Sequence, residues 1–396
     1  MIFRKPSSAR AQRNHIDLPI LVGVLALMVF SLAVVYSASS TWAFEKFGQS
    51  ERLLGSHAIK VLAGFAMIFV FMKVDYKKHK RISKSVLLAS IILLAITLVL
   101  GGEVKGASRW LRLGGFGLQP SEFAKYALVF HLALLISEKK DRVREFKKGF
   151  VPLMIWILVV AGLVLAQPNF STGAMIIVIS FIMLFMGKAK VGHIAAAVGA
   201  ALPLLIGYVL TAEYRRARIM SFLAGGDVSG PKNYQRWQGI IGFGNGGIFG
   251  LGPGASRQRD FFLPESYGDF VFSILGEEYG LIGTLAVMAV FLLIMLRGMK
   301  IARYARDDFG RYLAVGITSS IVTFALVNAG VTLGILPTTG LPMPFVSYGG
   351  SSMLFSCIAV GVLLNISSQT DLHPRFANAA DGSRPGELTP AVGKVY

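Results

Sequence analysis

Apolar runs of about 20 residues, enough to carry a helix across a ~30 Å hydrocarbon core, recur along most of this chain. That recurrence constrains the fold more than any other feature, because a soluble core cannot absorb so many such runs. The composition agrees: 54% of the 396 residues are hydrophobic and 15% are charged, whereas a soluble domain carries about a quarter charged residues. A length that would otherwise suggest two or three soluble domains instead suggests one polytopic bundle.

Ten helices are predicted, at about 17–38, 57–74, 84–101, 121–137, 150–166, 172–187, 191–211, 269–296, 312–335 and 349–367. The first, "LPILVGVLALMVFSLAVVYS", is too long for a signal-peptide apolar region and lacks a small-x-small cleavage site, so it reads as a retained span. The single cysteine, Cys357, excludes an intramolecular disulfide and reads as a small packing residue. No internal repeat of fixed period is present.

One set of loops is strongly basic: "KVDYKKHKRISK", "EKKDRVREFKKG", "GKAK" and "RGMKIARYARDDFGR", with Arg4, Lys5, Arg10 and Arg13 ahead of the first span. Positive charge collects on the cytoplasmic side, which places both termini inside. It also accounts for the formal net charge of +19 through anionic membrane lipids, with no need for nucleic acid. The expected fold is therefore an all-α integral membrane protein. About ten transmembrane helices fill 17–368, with a large extracytoplasmic loop at 213–268 between spans 7 and 8. Residues 1–16 form a cytoplasmic N-terminal tail, and 369–396 a disordered cytoplasmic C-terminal tail.

The outward loops are rich in Gly, Pro and amides: "GGEVKGASRWLRLGGFGLQPSE", "QPNFST", the excursion from Glu213 to Gly268, and "LPTTGLPMPFVSYGGSS". Such backbone cannot face lipid unsatisfied. Within the excursion, "YQRWQGIIGFGNGGIFGLGPG" reads as a partial or re-entrant segment, with a surface loop as the alternative.

Two charged features stand on this side. Asp269 precedes an apolar run that ends near Arg297, which puts Glu277 and Glu278 at the outer interface and Asp269 roughly 12 Å further out along a continuous helix. Asp269, Ser273, Gly276, Gly280 and Gly283 share one face of that helix, fit for close helix contact or for a ligand approaching the backbone. The second feature is Arg109 and Arg112 around Trp110, followed by Glu122 and Lys125, three residues apart on the fourth span. These two read either as an ion pair at the rim or, with Arg109 and Lys105, as a grip on phosphate oxygens.

"KGASRWLRLGGFGLQPSEFAK", "GFGNGGIFGLGPGASRQRDFFLPESYGDFVFSILGEEYG" and "ILPTTGLPMPFVSYGGSSM" resemble the signature loops of the SEDS proteins, the RodA and FtsW type of cell-wall polymerase. The resemblance spans about residues 15 to 368. It implies a peptidoglycan glycosyltransferase that polymerises lipid II into β-1,4 glycan by one inverting attack, with release of undecaprenyl diphosphate. One carboxylate suffices as base, unlike the paired acids of hydrolases, and the resemblance assigns that role to Asp269. It assigns substrate contacts to Lys105, Arg109, Trp110, Glu122, Lys125, Arg218, Glu265 and Ser347, with the turn Pro344 to Ser352 shaping the cavity wall through exposed amides and hydroxyls. The partner it implies is a class B penicillin-binding transpeptidase within a division or elongation complex.

Two departures from the family pattern stand out. Asn169 replaces an acid in "QPN", which leaves a divalent cation, Mg or Mn, an open question. Tyr267 replaces a His two residues ahead of Asp269. The compact "GLGPGASRQRDFFLPES" favours the division type. Rival readings are a lipid II flippase and a non-catalytic scaffold for the transpeptidase. Clean middle spans such as "GAMIIVISFIMLFM" argue against the flippase.

Overall fold

A computed structural model of the chain describes residues 15–370, apart from 101, 105–106, 114–115, 212, 214–215, 218–219, 221, 223–233, 261 and 264–265. Residues 1–14 and 371–396, and with them nearly all of both expected tails, lie outside the described residues.

Eleven α-helices are present among the described residues: α1 Leu18–Phe47, α2 Arg52–Lys73, α3 Tyr76–Leu100, α4 Pro120–Lys139, α5 Val151–Ala166, α6 Phe170–Met186, α7 Val191–Leu210, α8 Tyr234–Gly246, α9 Val271–Arg303, α10 Asp308–Thr332 and α11 Gly350–Ser367. All except α8 correspond to the ten helices expected from hydropathy. Seven segments, containing α1, α2, α3, α5, α9, α10 and α11, are long and apolar enough to cross a membrane; α6 and part of α7 are shorter apolar helices. The chain is a multi-pass helical membrane protein.

α10 and α11 form the centre. α11 lies along α2, and α10 is enclosed by α9, α4 and α6. Cys357 on α11 is fully buried, its sulfur 3.7 Å from that of Met28, as a small packing residue should be.

Polar ties gather at two opposite ends of the bundle. At one end, Arg297 pairs with Asp17 at 2.7 Å, the Asp17 N–H donates to Ser367, and Tyr76 donates to Asp307. Every basic loop opens at this end, beside the start of α1. At the other end stand Asp269, the start of α11 and the segment the sequence suggested as a Gly-rich loop between α3 and α4. That segment is not irregular: β1 Gly102–Val104, β2 Ala107–Leu113 and β3 Phe116–Leu118 form a small antiparallel sheet in the order β1-β2-β3.

α9 departs most from expectation. It is not one continuous helix, because Gly280 takes φ 63°, ψ −162°. The two helical bonds lost there are replaced through the loop after α8. Leu251 and Gly252 N–H donate to the carbonyls of Glu277 and Glu278, at 2.9 and 3.0 Å. In return, Leu281 and Ile282 N–H donate to the carbonyls of Gly247 and Ile248, at 2.9 and 3.2 Å. These four bonds replace helical ones in a region where an orphaned peptide group is costly.

Beyond the break, α9 exposes Leu281, Ile282 and Leu285, a lipid-facing stripe, and Ile248, Phe249 and Leu251 of the loop are exposed beside it. The loop thus presents an apolar surface continuous with a membrane-spanning helix, which is the re-entrant form of the two sequence alternatives. On the other side of the break, Val271 to Glu278 are buried without exception. Glu277 and Glu278 are therefore enclosed in protein, not placed at an interface with solvent as the residue count suggested.

Side chains cannot be added in this contact. A Cβ on Gly250 would strike the Glu278 peptide, and one on Gly246 the Gly276 peptide, whereas a Cβ on Gly247 meets open space. Gly250→Ala is expected to abolish folded protein in detergent, through backbone collision added to a positive φ of 82°. Gly247→Ala, at φ 52° but unobstructed, is expected to cost only about 1 kcal/mol. Fluorescence-detected gel filtration with a thermal ramp on the two variants checks the contrast.

Candidate active site

Asp269 sits in the turn that precedes α9, two residues ahead of its first helical residue. It therefore does not continue the helical face that the sequence predicts. Of that face, Ser273 donates to the Gly239 carbonyl at 2.7 Å, Gly276 faces Phe243, and Gly280 abuts the loop after α8. A Cβ on Gly283 would meet only Tyr279 and Leu275 of its own helix. The small residues serve close packing of α8 on α9, and Gly283 stands apart from that contact.

The Asp269 turn is held from below by Asn328 of α10. This amide is buried, and its Nδ2 donates both to the Asp269 carbonyl and to the Leu341 carbonyl, each at 2.8 Å. One side chain thus clamps the turn to the loop between α10 and α11. Gly340 of that loop, at φ 72°, lies directly against the carboxylate: a Cβ there would stand 3.2 Å from Asp269 Oδ2. Asp269 itself is half-buried. The result is a carboxylate on a backbone fixed by two neighbours, at the end of the bundle opposite the basic loops.

Further along the same loop, Tyr348 N–H donates to the Tyr267 carbonyl at 2.9 Å. The Tyr267 ring meets Tyr348 edge-on at 5.7 Å and Trp42 at 5.4 Å. Tyr267, the residue found where the family pattern has His, is part of an aromatic wall beside Asp269. Arg259, ten residues ahead in the chain, lies 3.5 Å from Asp260 and donates to Ser37.

Glu122 and Lys125 form an ion pair at 2.8 Å, 2% and 3% exposed. This is a buried pair in the bundle core and not a rim pair, because Phe324 covers the ammonium at 3.9 Å and Tyr126 lies at 4.7 Å. Trp110 is half-buried on β2 and packs over Gly117 of β3. Arg109 is on the same strand, its side chain outside the described residues, as are Lys105, Arg218 and Glu265.

The expectation of exposed hydroxyls in Pro344 to Ser352 fails. Ser347, Ser351 and Ser352 are all buried. Ser347 accepts from Met343 N–H at 2.8 Å, and Ser351 bridges Gln119 N–H and the Gly117 carbonyl, both at 2.9 Å. Backbone groups in a buried turn need partners, and the hydroxyls supply them. Ser347 thus shapes the turn from inside.

Gln167 donates to the Leu94 carbonyl and Asn169 to Ser121, so the amide at the departure from the family pattern ties α6 to the start of α4. Among the described residues no three His, Cys, Asp or Glu side chains converge, and the donor set for a resident divalent cation is not assembled there. The sequence reading missed Asn328 altogether. An amide inside an apolar helix was the available signal, but its reach to the Asp269 turn depends on how α9 and α10 pack.

Breaking the buried Glu122–Lys125 pair leaves one uncompensated charge. Lys125→Met alone is expected to lower stability by about 3–5 kcal/mol. The double variant Glu122→Gln/Lys125→Met is expected to recover most of that loss, and melting both in detergent checks it.

The family model described as cell cycle protein, covering FtsW, RodA and SpoVE, matches residues 18–372. The chain is 40% identical over 355 residues to the probable peptidoglycan glycosyltransferase FtsW of Geobacter metallireducens (strain ATCC 53774 / DSM 7210 / GS-15), covering 89% of this chain and 95% of that protein. It is 38% identical over 353 residues to the stage V sporulation protein E of Bacillus subtilis (strain 168), covering 89% and 96%. Its fold is similar to a chain of a solved peptidoglycan synthase complex that coordinates polymerization and crosslinking, with a TM-score of 0.74 at 23% identity, over 89% of this chain and 97% of that one. It is similar also to the crystal structure of the rod shape determining protein RodA of Thermus thermophilus, with a TM-score of 0.67 at 23% identity, over 90% and 98%. Matched over nearly its whole membrane region, the chain belongs to the FtsW, RodA and SpoVE family of cell cycle proteins.

Proposed function

We propose that this protein is a peptidoglycan glycosyltransferase of the cytoplasmic (inner) membrane, and that it polymerises lipid II during cell division. The observation that carries the reading is the Asp269 carboxylate, half-buried against Gly340 on a turn clamped by Asn328. It stands at the end of the bundle away from the basic loops. Those loops mark the cytoplasmic side, which puts Asp269 at the outer surface and both termini inside.

In this reading Asp269 takes the proton from the 4-hydroxyl of the acceptor GlcNAc as that oxygen attacks the anomeric carbon of the donor sugar. The bond to diphosphate breaks, the anomeric centre inverts, and undecaprenyl diphosphate leaves. The hydroxyl is a poor nucleophile without a base. A turn tied by its Asp269 carbonyl to Asn328, which also holds the Leu341 carbonyl of the neighbouring loop, keeps that base in place without reorganisation during the reaction. The leaving diphosphate needs cations near it; Arg109, Lys105 and Arg218 are the family-derived candidates. Glu122 holds Lys125, Trp110 and Glu265 are the further family-derived candidates for substrate contact, and Ser347, buried, acts only through the turn it holds.

The name of the Geobacter relative supports the activity, and a class B penicillin-binding transpeptidase is the partner the reading requires. The flippase alternative draws on the broken helix and on the buried Glu277 and Glu278, features of the kind transporters use. Here, however, the break is filled by the chain's own loop. Glu277 is bonded to Asn245, Ser256 and Gln258, and Glu278 to Ser37.

The test is glycan synthesis from purified lipid II by this chain with its transpeptidase. Asp269→Asn is expected to lose about 10²–10⁴-fold in rate while keeping its melting temperature and partner binding. Equal rates would move the base elsewhere. Lipid II translocation in vesicles without polymerisation would favour the flippase.

A further inference from the structure

We infer that Lys60, on α2, is a cationic contact for the diphosphate of the lipid-linked sugar. The inference rests on the glycosyltransferase reading above, and it assigns a residue to which neither the motifs nor the resemblance gave a role.

Lys60 lies in the apolar stretch "HAIKVLAG". A lysine in a span is costly, by roughly 2.5–3.5 kcal/mol at mid-membrane, and normally meets a carboxylate. Lys125 does so, through Glu122. Lys60 does not: among the described residues no carboxylate lies within ion-pair distance, and its three donors make no hydrogen bond. What it has is the face of Tyr348, with Nζ 3.8 Å from the ring centre. That contact stabilises an ammonium without neutralising it, and leaves its N–H groups available to an anion.

The place is as informative as the charge. Tyr348 is bonded through its N–H to Tyr267, two residues ahead of Asp269, and its hydroxyl donates to Ser56, one turn before Lys60 on α2. The Lys60 stem passes Gly350 at the start of α11, and Gly350 in turn approaches the Gly117 carbonyl of β3, in the sheet that carries Arg109. Half-buried Lys60 therefore stands where α2, the start of α11 and the small sheet meet. Tyr348 and Tyr267 separate it from the Asp269 turn. A base on one side of this aromatic pair and, on the other, a cation with no carboxylate partner among the described residues suit a reaction in which one group takes a proton and the other meets the departing diphosphate, which gains a negative charge as its bond to the sugar breaks. Lys125, already neutralised and enclosed, is less suited to that second task.

The experiment measures binding, so that it stands whether or not the chain polymerises. The full chain is placed in phosphatidylcholine nanodiscs and titrated with undecaprenyl diphosphate, with undecaprenyl monophosphate as the comparison. Lys60→Gln is expected to bind the diphosphate lipid about tenfold more weakly, the loss of one charge-assisted contact. Lys60→Arg, which keeps the charge and also stacks on an aromatic face, is expected to stay within about threefold of wild type. If Lys60→Gln does not fold, Lys60→Cys serves before and after aminoethylation, which restores an ammonium; binding should rise on modification. Wild-type affinity in Lys60→Gln, or in unmodified Lys60→Cys, overturns the assignment. So does an equal loss for mono- and diphosphate lipids that disappears when phosphatidylglycerol is added, because Lys60 would then be a general headgroup contact. Failure of polymerisation in wild type, with the Lys60 effect intact, would overturn the activity and leave the binding site standing.

Discussion

The exchange of backbone hydrogen bonds at Gly280 is the constraint on which the rest of the site end depends. A helix interrupted inside a membrane protein leaves donors and acceptors that water cannot reach. Here the bonds that Leu281 and Ile282 would have made to Glu277 and Glu278 pass to Gly247, Ile248, Leu251 and Gly252. The loop after α8 is thereby locked into α9, and α8 is drawn flat against the buried segment of α9. Only glycine allows the two backbones to meet so closely, since a Cβ on Gly246, Gly250 or Gly280 would enter the opposing peptide. The Gly-rich segment reads as re-entrant or as a surface loop until its partners are known; in place, its backbone is tied to α9 by four hydrogen bonds.

The second consequence is the position of Asp269. With α9 broken and its outer segment enclosed, the turn before it is pressed onto the end of α10. There Asn328 holds the Asp269 and Leu341 carbonyls together. The loop from Gly340 to Gly350 then runs from the carboxylate, past the Tyr267 and Tyr348 rings, to Lys60 and the small sheet. Ser347 faces inward and satisfies the turn, so the side chains the loop leaves partly exposed are Pro342 and Tyr348, the latter under the ammonium of Lys60 from α2. A rigid backbone carrying few exposed polar groups is what a site needs when a lipid-linked sugar must be oriented without being bound too tightly to leave.

Much of the fold was legible in the sequence because lipid imposes a one-dimensional rule. A helix that crosses must be apolar for about 20 residues; all ten expected helices appear, seven of the segments are long and apolar enough to cross, and the ends shift by up to nine residues, as at Phe47. The basic loops sort to one end for an equally simple reason. Asp269 was legible as a lone acid before an apolar run, and Lys125 as a charge three residues from Glu122. The depth of that pair, the enclosure of Glu277 and Glu278, and the inward serines were not legible. Burial depends on which helices lie alongside, and hydropathy does not report that. Asn328 and Lys60 were hidden for the same reason: each is one polar residue in an apolar helix, and its neighbours come from 13 to almost 300 positions away in the chain.

The sequence by itself determined the solvent, the order of the ten apolar helices, the basic side and the acid most worth testing. Those follow from transfer free energies, charge and motif, which belong to short segments. Only the tertiary structure decided that α9 is broken and re-bonded through its neighbour, and that Lys125 is paired with Glu122 while Lys60 meets no carboxylate among the described residues. It alone decided that Asp269 rests on Gly340 and Asn328. Each of these depends on two distant segments satisfying one another's hydrogen bonds or charges in a medium without water, which is a property of their contact and of neither segment alone.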